Sequence, residues 1–256
     1  MPASGPRSFT RLVAPALLCL AFVACNDSSS EPLEDPSLDA IAEVVADGAL
    51  EDLGFMREAI PSSPLQTPSE APASVPGQGT EHTRTVSFFD ESGDPMDAYD
   101  AQLTAQIRWT HEFTVTMGRG RVTGEMTRSR EMTVSGLLGT ETERTHNGLG
   151  LDERSRIQVN EVQGTRTYDM SAEVTIEDVV IAVDRVTQPW PLSGTITRVV
   201  TIEIGNAPQG GDITRTRTTV LTFDGTQFPT LTIDGESFEV DLATPPGYGA
   251  TRRLGR

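Results

Sequence analysis

The chain has 256 residues, a formal net charge of −17, 36% hydrophobic residues and 5% aromatics. All 20 basic residues are arginine; the chain holds no lysine. This balance excludes a nucleic-acid binder, which needs a basic stripe to displace phosphate counterions, and it excludes a multi-pass membrane protein, since a single apolar run is present and it is N-terminal.

Residues 1–24 read as an export signal. Arg7 and Arg11 precede an apolar run from Leu12 to Ala24, 13 residues long. That is too short to span a bilayer, which takes about 20 helical residues. The run ends in Phe22-Val23-Ala24-Cys25, followed by Asn26-Asp27-Ser28-Ser29-Ser30. These residues resemble the lipobox of bacterial lipoproteins, in which a small residue precedes a cysteine that is lipidated and becomes the new N-terminus. Phe22 departs from the leucine preferred there. The resemblance covers about the first 30 residues and implies a diacylglyceryl anchor on Cys25 and a place in the bacterial cell envelope, on the outer membrane facing the periplasm or at the cell surface. Cys19 leaves with the signal, so the mature chain keeps one cysteine and forms no internal disulfide. Two or more acyl chains anchor stably where one does not.

Residues 25–35 form a tether. Residues 26–80 hold 11 acids against one base, Arg57. Within them, 36–60 predicts an amphipathic helix. Asp35 caps it, Pro36 suits its first turn, and Leu38, Ile41, Val45, Ala49, Leu53, Met56 and Ile60 fall on one face. Gly48 and Gly54 weaken it by about 1 kcal/mol each. Such a helix docks on its own domain or serves a partner. Residues 61–80 carry five regularly spaced prolines among Ser, Ala and Gly, which favours an extended spacer.

From residue 81 to 249 the pattern turns to period two and no long helix interrupts it. The fold class expected is all-β: a broad antiparallel meander of eight to eleven strands, as an open curved sheet, a half-barrel or a sandwich. Residues 250–256 are read as a tail. Asp224-Gly225 and Asp234-Gly235 predict two-residue hairpin turns. The first would pair Leu221 with Phe228 and place Val220 with Leu231 and Ile233; the second would pair Ile233 with Glu236. Asn147-Gly148 and the Gly118–Gly120 stretch predict further turns. Triplets such as Thr83-Arg84-Thr85, Thr127-Arg128-Ser129 and Thr214-Arg215-Thr216 predict a solvent face of Thr, Arg and Glu. Such a face could bind sulfated or carboxylated glycans, or simply be solvated.

The catalytic inventory is thin. His82, His111 and His146 are read as surface residues. No nucleophile elbow, zinc-protease helix, phosphate loop or paired-cysteine motif is present. Asp90, Ser92 and Asp94 begin like a calcium loop, but Pro95 replaces the glycine and Ala101 the bidentate glutamate, so a polar turn is expected. Trp190, between two prolines, is read as a loop anchor. No catalytic residue, metal or cofactor is assigned. The expectation is a non-enzymatic lipoprotein with a binding or structural β domain, held to a membrane through Cys25; the alternative is a half-barrel carrier of a lipid or other apolar ligand.

Overall fold

A computed structural model describes residues 38–58, 80–119, 122–139, 141–160, 164–205, 212–245 and 248–254. They belong to one compact unit, Leu33–Arg256; a second unit, Met1–Pro32, lies outside the described residues, and so do the signal, Cys25 and the Pro-rich segment.

The expected helix is present as α1 (Leu38–Glu58). Eleven strands follow: β1 (Thr80–Phe89), β2 (Pro95–Met96), β3 (Gln106–Arg119), β4 (Val122–Ser135), β5 (Glu143–Asn160), β6 (Gly164–Ala182), β7 (Ser193–Gly205), β8 (Ile213–Thr222), β9 (Thr230–Ile233), β10 (Glu236–Val240) and β11 (Thr251–Arg253). They form one open antiparallel sheet in the order β11-β10-β9-β8-β7-β6-β5-β4-β3-β1-β2. The meander is as expected, and the sheet neither closes into a barrel nor doubles into a sandwich. The segment read as a tail contributes Ala250, which is buried, and β11, which pairs Thr251 with Val240.

Register explains the core. One row runs Trp109, Met132, Gly148, Ile176, Ile196, Leu221, Leu231, Phe238 across eight strands. Side chains directly opposite one another in an antiparallel pair share a face. This row is therefore a continuous apolar floor. The apolar stripe of α1 lies on it: Ile41, Val45, Leu53 and Met56 are buried in the same cluster as Met132, Leu221 and Phe238. The helix is a layer of the core, a role its spacing allowed but did not decide.

Two turn assignments differ from expectation. Asp234-Gly235 forms the expected tight turn, with both residues at positive φ (49° and 88°) and Glu236 opposite Ile233. Asp224-Gly225 does not. There β8 and β9 pair Leu221 with Leu231 and Thr222 with Thr230. Leu221 and Phe223, not Val220, therefore join Leu231 on the buried face, and Phe228 is left exposed. The reason is local. Asp224 Oδ1 accepts from Thr226 N (3.0 Å) and Thr226 Oγ1 (2.7 Å), while Gly225 N donates to Pro191 O (3.0 Å) and Gln188 Nε2 donates to Gly225 O (3.0 Å). The turn residues are spent on docking a wider loop.

Asn147-Gly148 is not a turn. It lies inside β5 at a bulge, where His146 pairs with Val179 and Gly148 with Ile176. Asn147 thus faces two residues, Glu177 and Asp178. Asp178 takes φ 48°, donates its N–H to Asn147 Oδ1 (2.8 Å) and accepts from Asn147 Nδ2 at 3.1 Å. The bulge reverses the in-out alternation of β6, so Val179 and Ile181 point to the core after Ala172, Val174 and Ile176. The turn expected near Gly118–Gly120 is a hairpin that pairs Arg119 with Val122; Gly120 and Arg121 lie outside the described residues.

Candidate functional site

The row beside the apolar floor runs His111, Arg130, Gly150, Val174, Arg198, Thr219. The next places Arg128 directly opposite Asp152. Two rows of the helix-facing surface thus carry charge in the middle of the core. Arg128, Arg130, Asp152 and Arg198 are each 2% exposed, and Asp52 of α1 is 1% exposed.

The five form one network. Arg130 Nε donates to Asp52 Oδ1 at 2.8 Å, and Arg198 Nη2 donates to Asp52 Oδ2. Asp152 accepts from Arg128 Nε at 2.9 Å and from Arg198 Nη1 at 2.6 Å, and its Oδ1 lies 2.8 Å from Arg130 Nη1. Glu51, at the helix edge, pairs with Arg128. Arginine suits this arrangement because its planar fork can bridge two carboxylates at once.

Two glycines make the room. A Cβ on Gly150 would lie 2.5 Å from Arg130 Cδ and Nη1, so only glycine lets that side chain lie across β5. A Cβ on Gly48 would lie 3.1 Å from the Arg198 guanidinium. The glycine that weakens α1 as a helix is what lets α1 settle on the network.

Burial favours a protonated Asp152, but Arg128, Arg198 and Arg130 outweigh it and hold the carboxyl well below the usual carboxylate range. Burial also opposes the charge on Arg130, and Asp52 and Asp152 outweigh it, raising that guanidinium. These groups keep fixed charge near neutral pH, so the network carries charge and shape.

The Thr-Arg-Thr triplets therefore divide between faces. Neighbours in a strand point to opposite sides, so Arg128 faces the helix and its threonine neighbour faces outward. Thr114 and Thr127 bond across β3 and β4 at 3.2 Å, and Thr201 and Thr216 across β7 and β8 at 3.1 Å. The outer face is a lattice of threonine and acid. Glu125, Glu153, Asp169 and Glu203, with Thr127 and Thr201, line an open groove of about 370 Å³. A second groove of about 440 Å³ is lined by Thr83, Thr110, Glu131 and Leu149 among others.

The surface reading of the histidines is corrected for two of them. His111 is 3% exposed, with its ring 4.6 Å from that of Phe55 on α1. His146 is fully buried, and among the described residues neither ring nitrogen has a hydrogen-bond partner. His111 follows Ile107 and Trp109 at alternate positions of β3, and His146 shares the inward row of β5 with Asp152, a signal the alternation already held. The side chain of His82 lies outside the described residues.

Asp90–Asp100 is a turn. Asp94 N donates to Asp90 Oδ1 (2.9 Å), Gly93 takes φ 84°, and Pro95–Met96 returns to pair with Phe88–Phe89. Among the described residues, no group of three or more His, Cys, Asp or Glu is placed to hold a metal. Trp190 packs against the core from its loop. Cys25, the lipidation candidate, lies outside the described residues.

Burial pushes the His146 imidazole down to about 4 from 6.5, and Arg185 and Arg144 add to this. The folded state therefore holds it neutral where the unfolded chain binds a proton. Stability is unaffected above pH 6.5 and falls as pH drops from 6.5 to 4, by about 3 kcal/mol at the lower end. The lowered carboxylates Asp152, Asp184 and Asp241 lose their contribution only as pH falls through the ordinary carboxylate value near 3.8 and below, so the decline between pH 6.5 and 4.5 is assigned to His146. Urea unfolding at pH 7, 5.5 and 4.5 should show the decline, and His146→Leu should flatten it; an equal decline in the variant would contradict the assignment.

No family model, no curated protein and no solved structure matches this chain.

Proposed function

We propose that this chain is an exported bacterial lipoprotein, anchored to a membrane of the cell envelope through a lipidated Cys25, whose β domain has a binding or structural role and is not catalytic. The observation that carries the reading is the Ala24-Cys25 junction after a 13-residue apolar run, with one cysteine left in the mature chain. Among the described residues no helix is long and apolar enough to cross a membrane. The burial of the charged network supports the non-catalytic reading: its groups are sealed under α1 instead of lining a cleft that a substrate could enter. A carrier of an apolar ligand needs an internal cavity, and α1 packs into the space where one would lie.

Cys25→Ser should move the protein from the membrane fraction to the soluble fraction in a detergent-free separation. If the serine variant still floats with membranes, the lipid anchor is wrong.

A further inference from the structure

A corner of the domain gathers positive charge that, among the described residues, forms no ion pair with a carboxylate. Arg57 stands in the last turn of α1, Arg185 in the loop after β6, and Arg144 at the start of β5. The geometry draws them together. Arg185 Nη2 donates to the Arg57 carbonyl at 3.1 Å, and Arg57 Nη2 donates to Pro189 O at 3.1 Å. Val183 N donates to Thr142 O (2.8 Å), which ties the Arg185 loop to the strand carrying Arg144, and Arg144 Nη1 donates to Gly136 O. His146 is two residues beyond Arg144 on the same face of β5.

Among the described residues no carboxylate lies within ion-pair distance of Arg57, Arg144 or Arg185, whereas Arg128, Arg130, Arg198, Arg217 and Arg252 each have one. Asp184, the chain neighbour of Arg185, spends its carboxylate on Val186 N, Thr187 N and Thr187 Oγ1. Among the described residues, Arg57 Nε, Arg144 Nε and both nitrogens of His146 are buried without a hydrogen-bond partner. Burial and Arg185 lower Arg57; burial lowers Arg144 against the opposing pull of Tyr99 and Glu141, so compensation in the corner is weaker than under the helix. Basic residues at a helix C-terminus offset its partial negative charge, and Arg185 caps α1 in that way. But that end carries about half an elementary charge, against three guanidiniums. A chain of net charge −17 would have acids to spare for this corner.

We propose that this corner is an oxyanion site that takes a phosphate or a phosphate monoester on Arg57 and Arg185, with Arg144 adding field. The guanidinium forks match the spacing of phosphate oxygens.

The test uses the full chain in non-ionic detergent, titrated calorimetrically with inorganic phosphate against sodium chloride of equal ionic strength. Saturable heat with a roughly millimolar midpoint is expected for phosphate and not for chloride. Arg57→Gln and Arg185→Gln should each weaken binding about tenfold, the loss of one charge-assisted bond, while Arg215→Gln on the distant β8 leaves it unchanged. Arg185→Gln also removes a helix cap; if it misfolds, Arg57→Gln decides alone. A short-chain phosphatidic acid in the same detergent separates the sources: tighter binding than phosphate assigns the site to a lipid headgroup, equal binding to a free phosphate. No saturable heat, or heat that persists equally in both variants, overturns the site.

Discussion

A chain beginning at Gly79, with α1 removed, should not melt cooperatively. Ile41, Val45, Leu53 and Met56 are each at most 4% exposed, in one cluster with the apolar floor of the sheet. Burying a side chain of that size contributes about 1.5–3 kcal/mol, so the four together approach the whole stability of a typical domain, about 5–15 kcal/mol. Removal also takes Asp52 away from Arg130 and Arg198. A self-sufficient β domain over residues 81–249 would give the opposite result, a cooperative melt without the helix, but a single open sheet has nothing of its own to bury its apolar face against. Circular dichroism of the truncated chain should show a broad, non-cooperative transition, with binding of a dye that reports exposed apolar surface. A sharp melt near that of the full chain would mean that α1 is dispensable.

Asp52→Ala should cost about 3–5 kcal/mol, the usual loss when one partner of a buried ion pair is removed. The cost comes from what remains: two guanidiniums, 2% exposed, that lose the carboxylate bridging them. Asp52→Asn should be milder, since its amide oxygen can still accept one bond. The combination Asp52→Leu, Arg130→Met and Arg198→Met should regain most of the loss, because well-packed apolar residues often match a buried ion cluster in stability. On this view the network sets where α1 sits more than how strongly it holds. Denaturant unfolding of the three variants checks the order. A loss under about 1 kcal/mol for Asp52→Ala, the range of exposed pairs, would mean that water reaches the network.

Much of this architecture is legible in the sequence, for physical reasons that differ by element. The spacing of Ile41, Val45, Ala49, Leu53 and Met56 marks α1 because a helix with one buried face must repeat in threes and fours. Asp234-Gly235 marks its hairpin because both residues take positive φ. Asp224-Gly225 misleads because loop contacts with Gln188 and Pro191 outweigh the tight turn, and those contacts depend on chain far away in sequence. Asn147-Gly148 misleads because an amide that suits a turn also suits a bulge. The buried network was hidden for a different reason. Arg128, Arg130 and Arg198 look like solvent-facing residues of a threonine-rich strand, and only the register with Asp152 and the arrival of Asp52 show them to be core. Strict alternation would have separated arginine from threonine in every triplet. It could not say which face α1 covers.

The central claim is that α1 and the sheet are one cooperative unit joined through the Asp52 network. Amide hydrogen exchange of the full chain tests it most directly. Helix amides near Leu53 and Met56 should exchange only through global unfolding, with the same protection as Ile176 on β6 and Ile196 on β7. Helix amides exchanging about a hundredfold faster than those strands would show α1 opening on its own, and would contradict the claim.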